Sequence, residues 1–312
     1  MRRKNKKKNK YYIRLAIGIF LVVLVLELLP TLGTKIKNTN ISLPFLVRIT
    51  PTPDPKKLQQ EITKEILPEK VNLGISFKDV IIQMIEVGAI DKNKFLALYE
   101  GQKGLTTEEK SLLDSPSNSP IVVTQANSGL ILNLLWPLGI ANKTNVLSQG
   151  PMGTQYKNSV ANFASTGGWT LGTIDGGKLF NRFSILPLTA EQEAEVAEIA
   201  QNIYRPCCGN STYFPDCNHG AAMLAFIELA VTQGMSKEEI YKKALALNSY
   251  WFPQTYVELG IYLKQKKNIS WDKVDPKVAL STNYSSGQGY SAIDKQLQSE
   301  GLVPTVARGP GC

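Results

Sequence analysis

A strongly basic N-terminal segment followed by a largely apolar stretch constrains the fold of this chain more than any other feature. Residues 1–14 carry eight Lys and Arg side chains and no acidic one, and residues 15–32 read LAIGIFLVVLVLELLPTL. A stretch of about 20 apolar residues is long enough to cross the ~30 Å hydrocarbon core of a bilayer. The sequence therefore predicts a transmembrane anchor over residues 15–32, which would make the lipid bilayer one partner of this protein.

The charges around this segment predict its orientation. Lys and Arg are enriched on the cytoplasmic side of membrane spans, and aromatic rings such as those of Tyr11 and Tyr12 favour the interface. A cleaved signal peptide is the alternative, but Leu-Pro-Thr-Leu-Gly-Thr is a poor match to a small-residue cleavage site. We predict a single-pass protein of the cell membrane with a cytoplasmic N-terminus and an extracytoplasmic domain.

The location of the charge also bears on nucleic-acid binding. The formal net charge is +9, and residues 1–14 account for all but one of these charges. The remainder of the chain shows no stripe of Lys and Arg interleaved with aromatic residues, which is the usual sequence sign of a nucleic-acid interface. The sequence therefore predicts no nucleic-acid partner.

Beyond the anchor, the composition divides the chain into four further segments. Residues 33–56 contain a Pro-rich run (ITPTPDP) that predicts an extended stalk. Residues 57–187 predict a helical region with Gly-rich loops, and residues 188–280 a three-helix unit with the cysteines plus an extension. Residues 281–312 are rich in Ser and Gly and predict a weakly ordered tail. The expected fold class is mainly α.

Helix signals are strongest in residues 188–252. Two capping boxes, in which a Ser or Thr is followed three residues later by Glu or Gln, mark helix starts there. A further helix between them is predicted from about residue 218 to 233. The capping boxes are Thr189 with Gln192 and Ser236 with Glu239, and Pro253 is expected to end the set of three helices.

Two segments before this unit have distinct compositions. The apolar stretch Thr124–Ala141 predicts a buried core helix that Pro137 kinks or ends. Residues 150–186 are Gly-rich and predict loops with a small hairpin. Trp169, within these loops, is expected to pack against the domain.

The most distinctive chemical feature is a short loop that contains three of the four cysteines and the only histidine, all within thirteen residues. Thiolate and imidazole groups together suit soft and borderline metals, either as a tetrahedral zinc site or as an iron–sulfur cluster. A thiol at the start of the second helix would also be favoured as a thiolate. The predicted metal ligands are Cys207, Cys208, Cys217 and His219.

Two other interpretations of this loop stay open. The thiols could be redox-active, or Cys217 could form a structural disulfide with Cys207 or Cys208, as suits an oxidising compartment. In the second case His219 would only hydrogen-bond locally. Cys312 is distant in sequence and is interpreted as a surface thiol.

The three-helix unit resembles the CcmH family of cytochrome c maturation. Those proteins are membrane-anchored periplasmic thiol reductases with a Cys-x-x-Cys between the first two helices of a three-helix domain. The matching residues are Ile203-Tyr-Arg-Pro-Cys-Cys-Gly-Asn-Ser and Gln233-Gly-Met-Ser-Lys-Glu-Glu-Ile240. The resemblance implies a thiol–disulfide oxidoreductase in which Cys207 or Cys208 attacks and Cys217 resolves. Adjacent cysteines replace the Cys-x-x-Cys here.

The loop itself resembles the CDGSH iron–sulfur motif, C-x-C-x2-[ST]-x3-P-x-C-D-G-[SAT]-H. From Cys208 the chain keeps the spacing Cys-x2-Ser-x3-Pro-x-Cys, which implies Cys207, Cys208, Cys217 and His219 as ligands of a [2Fe–2S] cluster. Two spacings differ. The first two cysteines are adjacent, and the histidine follows Cys217 by two residues rather than four.

The block RPCCGNSTYFPDCNHG, with FASTGGWTLG upstream, also resembles a group of uncharacterised bacterial membrane-anchored proteins. This resemblance implies one continuous extracytoplasmic domain and no particular activity. Three functions stay open. They are a metal or [2Fe–2S] site in electron transfer or metal handling, a thiol–disulfide oxidoreductase, and an envelope structural domain with a disulfide-stapled loop. The sequence indicates no protein partner.

Overall fold

The computed structural model describes residues 54–101 and 103–304, which belong to one compact unit. The predicted basic tail (1–14), the transmembrane anchor (15–32) and the stalk as far as residue 53 lie outside the described residues. Within the described ranges, no helix combines the length and the apolar character that crossing a bilayer requires.

The described part of the chain is mainly helical, as predicted. Two short strands, β1 (Val71–Asn72) and β2 (Val122–Val123), pair antiparallel. Segments Lys157–Asn162 and Trp271–Lys273 are 3-10 helical, and Leu263–Lys267 forms a π-helical turn. In chain order the α-helices are α1 (Pro55–Ile66), α2 (Val80–Glu86), α3 (Lys92–Glu100), α4 (Thr107–Ser111), α5 (Ser128–Ala141), α6 (Asn145–Gln149), α7 (Gly176–Leu179), α8 (Ala190–Asn202), α9 (Asn218–Thr232), α10 (Lys237–Trp251), α11 (Pro253–Tyr262), α12 (Pro276–Ala279), α13 (Thr282–Ser285) and α14 (Gly287–Ser299).

Helices α5 and α9 form the centre of the fold. Every residue of α9 from Gly220 to Val231 is buried, which marks a helix enclosed on all sides rather than a surface helix with one apolar stripe. The two helices approach closely because Gly139 of α5 lacks a side chain. A Cβ atom at that position would lie 1.8 Å from the carbonyl oxygen of Ala221. Pro137 lies inside α5, which continues to Ala141 and so is not ended by the proline.

The three helices predicted for residues 188–252 are present as α8, α9 and α10. The capping box at Thr189 forms as expected, since its hydroxyl accepts from the Gln192 N–H and the Gln192 side chain accepts from the Thr189 N–H. Ser236 caps α10 by accepting from the Glu239 N–H. Gly234 separates α9 from α10 with a φ of 76°, which favours glycine.

Two predictions about turns and ends are wrong. Pro253 was expected to end the helical set, but it is the first residue of α11, where its missing N–H costs no hydrogen bond. Residues 150–186, all of which the structure describes, contain turns, a 3-10 segment and the short α7, and no hairpin. Trp169 in this region is buried and donates to the carbonyl oxygen of Ala89 at 2.8 Å, in keeping with a packing role.

The prediction of a weakly ordered tail from residue 281 is wrong as far as residue 304. This segment forms α13 and α14, and α14 buries Ile293 and Leu297 against the core. Those two apolar side chains lie four residues apart on one helix face, which is enough to fix a helix that its Ser and Gly content disfavours. The remainder of the predicted tail, with Cys312, lies outside the described residues.

A carboxyl group is buried within the core, away from the cysteines. Glu228 of α9 is fully buried, and its Oε2 accepts from the Asn142 side-chain amide at 3.0 Å, while Oε1 has no hydrogen-bond partner. Burial raises the pKa of Glu228 well above its usual value of 4.5, and the nearby Glu193 adds to this effect. The folded protein therefore favours the neutral form of this carboxyl group.

We expect Glu228→Gln to stabilise the protein at neutral pH. The folded state binds the Glu228 proton more tightly than the unfolded state does. Wild-type stability should therefore fall as the pH rises above the unfolded pKa, by up to about 1.4 kcal/mol per pH unit until the folded pKa is passed. Because glutamine cannot ionise, the stability of the variant should not fall with pH in this way. Denaturant unfolding from about pH 5 to about pH 8 measures it, with the exposed Glu69→Gln as control, and identical slopes for wild type and Glu228→Gln would contradict this expectation.

Candidate metal centre

The connection between α8 and α9 brings three thiols together. The Sγ atoms of Cys207, Cys208 and Cys217 all lie within 4.8 Å of one another, and those of Cys207 and Cys217 are 3.5 Å apart. The three cysteines carry free thiols, with Cys217 buried and the other two partly exposed. His219, the fourth predicted ligand, is outside this group of atoms.

The spacing of these sulfur atoms suits a single metal ion. With metal–sulfur bonds of about 2.3 Å and tetrahedral angles, ligand sulfurs are about 3.8 Å apart. The observed separations of 3.5 Å for one pair and at most 4.8 Å for the others are close to this value. Three thiols with this separation therefore fit around one thiophilic ion without a large rearrangement of the loop.

Hydrogen bonds within the loop and from a distant helix hold the loop in place. Thr212 donates through its N–H and its hydroxyl to the carbonyl oxygen of Ile203, at 2.8 Å and 3.0 Å, which closes the base of the loop. The N–H of Gly287, at the start of α14, donates to the Cys208 carbonyl oxygen at 2.7 Å. The Cys207–Cys208 turn is thus held by the C-terminal helix as well as by its own neighbours.

A buried arginine lies at the centre of the loop. Arg205 is only 1% exposed, and its Nε donates to Cys217 Sγ at 3.0 Å. Its remaining N–H groups donate to the carbonyl oxygens of Asn210 and Phe214 and to the carboxylate of Asp216. Burial alone would lower the pKa of Arg205, but the surrounding thiols and Asp216 raise it, so the guanidinium stays charged. A buried charge needs such partners, because desolvating it without them is very costly.

Cys217 is also the N-cap of α9. Its Sγ accepts from the N–H of Gly220 at 3.4 Å, and the positive end of the helix dipole lies on the same side. Gly220 leaves room for the guanidinium, since a Cβ atom there would lie 2.6 Å from Arg205 Cζ. The helix start and the arginine therefore act together on one sulfur.

The three thiols differ in acidity. Hydrogen bonds from Cys207 and Cys208, together with the Arg205 charge, hold the pKa of Cys217 well below its usual range despite burial. Hydrogen bonds with Cys208 and Cys217, together with burial, raise the pKa of Cys207. For Cys208, the hydrogen bond with Cys207 lowers the pKa, but the one with Cys217 and burial outweigh it and raise the pKa to about 11. At neutral pH the negative charge therefore lies on the buried Cys217.

His219 lies beside the site, in an aromatic setting. Its ring centroid is 4.4 Å from that of Phe252 and 5.8 Å from that of Trp251, at the C-terminal end of α10. Its Nδ1 atom is buried without a hydrogen-bond partner. The imidazole makes a minor contribution to the low pKa of Cys217. His219 thus borders the thiols without joining their group.

Sequence reasoning did not identify the polar residues that support the thiols. Arg205, Asn210 and Asp216 form a connected set, in which the Asn210 amide donates to Asp216 Oδ2 at 2.8 Å and Arg205 pairs with the other carboxylate oxygen. Their positions carried a signal, because Arg205 and Asp216 each lie within two residues of a cysteine. A charged residue so close to a metal ligand in sequence often orients it.

Comparison of the chain with protein-family models, with curated protein sequences and with solved structures finds no match. The resemblances to the CcmH family and to the CDGSH motif therefore stay predictions from the sequence. Any function has to be argued from the residues of the loop themselves.

We expect Gly220→Ala to raise the pKa of Cys217, because the new methyl group would displace the Arg205 guanidinium from the sulfur. Absorbance of the thiolate, recorded against pH on reduced, metal-free protein, measures this change. Gly209→Ala is the matched control, since a Cβ atom at Gly209 would meet nothing within 4 Å. Identical titrations for the two variants would mean that Arg205 does not set the acidity of Cys217.

Proposed function

We propose that this protein binds one thiophilic metal ion through Cys207, Cys208 and Cys217. The observation that carries the proposal is the convergence of three sulfur atoms within 4.8 Å of one another. Such a donor set selects soft or borderline ions such as Zn²⁺ and Cu⁺. A buried guanidinium that donates to one ligand sulfur gives the site the outer-shell support that metal ligands usually have.

A single ion is better supported than a [2Fe–2S] cluster. In a [2Fe–2S] cluster four ligands are divided between two irons. The three sulfurs here are grouped as ligands of one centre, and His219 is not part of that group. We therefore favour a mononuclear site over the cluster implied by the CDGSH resemblance.

The distribution of charge among the thiols argues against the alternative of an oxidoreductase. An attacking cysteine has to be both deprotonated and accessible. The accessible Cys208 has a pKa of about 11, whereas Cys217, whose pKa is low, is only 7% exposed. The features needed by a nucleophile are divided between different residues, while a metal site needs only that the thiolates converge.

The N-terminal sequence bears on the cellular compartment in which the site lies. We propose that residues 15–32 anchor the chain in the cell membrane, with residues 1–14 in the cytoplasm and the folded unit on the outer side. In that location a partly exposed metal site would serve metal handling at the cell surface. Cys207 and Cys208 provide the exposed side through which an ion could enter and leave.

We expect the full-length, reduced protein to bind one equivalent of Zn²⁺. Cys217→Ser should weaken the affinity by about 100-fold or more, because one of three ligands is lost. His219→Ala should keep the stoichiometry of one if His219 is not a ligand, and Cys312→Ser is the control cysteine. Equilibrium dialysis with elemental analysis measures both quantities. Absence of stoichiometric metal, or equal binding by a Cys207/Cys208/Cys217 triple Ser variant, would refute the proposal.

A disulfide between Cys207 and Cys217 is the second candidate, favoured by their 3.5 Å separation. Bond formation would require the sulfurs to close to about 2.05 Å. Under the metal proposal, protein isolated with chelator and without oxidant should expose all its thiols to alkylation after denaturation. Intact-mass analysis of alkylated protein measures this. A linked Cys207–Cys217 pair that resists reduction would favour the stapled loop, and mixed disulfides trapped by Cys217→Ser would favour the oxidoreductase.

A further inference from the structure

The donor atoms of the proposed site are exclusively sulfur. Among the described residues, the group of metal-binding side chains around Cys207 contains no carboxylate and no imidazole. Asp216 is the nearest acid to Cys208, at 4.0 Å from its Sγ, but both of its carboxylate oxygens are already engaged by Arg205 and Asn210. Within this group, the described part of the chain therefore offers three sulfur ligands and no fourth donor.

The side of the site next to Cys217 is closed by a positive charge. The Arg205 guanidinium is fully buried, its Nε lies 3.0 Å from Cys217 Sγ, and three further acceptors hold it in this position. Arginine has no acceptor atom and cannot act as a ligand. A dication bound to the sulfurs would feel twice the repulsion from this charge that a monocation feels.

From these two observations we propose that the ion is monovalent copper, bound by Cys207, Cys208 and Cys217 as three-coordinate Cu⁺. This inference rests on the proposed function and specifies its ligand. Thiolates suit both Cu⁺ and Zn²⁺. Zn²⁺ in a structural site almost always takes four protein ligands, whereas this group provides three. Three sulfurs without a fourth donor suit the lower coordination number of Cu⁺, and the Arg205 charge offsets part of the negative charge that three thiolates keep around a monovalent ion.

The exposure of the ligands is also consistent with an exchangeable ion. Cys207 and Cys208 are partly exposed, whereas Cys217 is buried at the start of α9. An incoming thiolate donor could replace its own sulfur–copper bonds one at a time by bonds to Cys207 and Cys208, and Cys217 would complete the set. Copper stays monovalent throughout, Cys207 and Cys208 release their protons to solvent as they bind it, and the sulfurs of the donor leave as thiolates. The site would thus accept Cu⁺ from a thiol-ligated source without any redox step.

The test is anaerobic titration of the reduced full-length protein with Cu⁺, and separately with Zn²⁺, followed by X-ray absorption of each complex. We expect one Cu⁺ per chain, ligated by three sulfurs and no nitrogen or oxygen. A copper site with two sulfurs, or with a nitrogen or oxygen ligand, would overturn the inference but leave the proposed metal function. If neither Cu⁺ nor Zn²⁺ binds stoichiometrically, both the copper inference and the proposed metal function are wrong.

Replacing Arg205 itself could unfold the loop. A variant that changes only the charge next to Arg205 tests its role without this risk. Asp216→Asn keeps the side-chain shape but leaves the guanidinium charge without its carboxylate. Because the added repulsion is twice as large for a dication, a tenfold loss of Cu⁺ affinity should accompany about a hundredfold loss of Zn²⁺ affinity. The exposed Asp272→Asn is the control. Equal losses for the two ions would overturn the argument from charge.

Discussion

The buried guanidinium of Arg205 is the interaction on which the candidate site depends. It joins Cys217 to Asp216 and to the carbonyl oxygens of Asn210 and Phe214, so most of the loop between α8 and α9 is arranged around one charge. Without the guanidinium, each of those acceptors would lose a hydrogen bond from a charged donor, a loss of about 1.5–3 kcal/mol each. The loop is therefore specified by a polar network as well as by the packing of Phe214 against Tyr156 and Phe163.

This network can exist only because the helices around it leave the necessary space. Gly220 in the first turn of α9 lets the guanidinium approach Cys217, and Gly139 in α5 lets the rest of α9 sit deep in the core. On the other side, the Asn248 amide donates to the Tyr204 carbonyl oxygen at 3.0 Å and to the Tyr256 hydroxyl at 3.1 Å. The backbone just before Arg205 is thus fixed by α10 and α11.

Much of the helical framework could be predicted because its signals are local. The cap at Thr189, the apolar stretch that forms α5 and the glycine at Gly234 each act within a few residues. The helix of residues 287–299 could not be predicted in this way, because its stability comes from burying Ile293 and Leu297 against distant residues. The clustering of three cysteines was evident in the sequence, but the role of Arg205 required knowledge of which side chains are buried together.

The hydrogen bond between Gly287 and Cys208 has a consequence for the order in which the site forms. It joins residues almost eighty positions apart, and the Tyr256–Ser285 contact at 2.7 Å adds a second long-range tie beneath the same loop. Contacts of such separation form late in folding because a long loop has to be closed first. The thiols therefore take up their final arrangement only after the last helix has been synthesised and has docked. Under the proposed function, an ion would then bind only after α14 has docked.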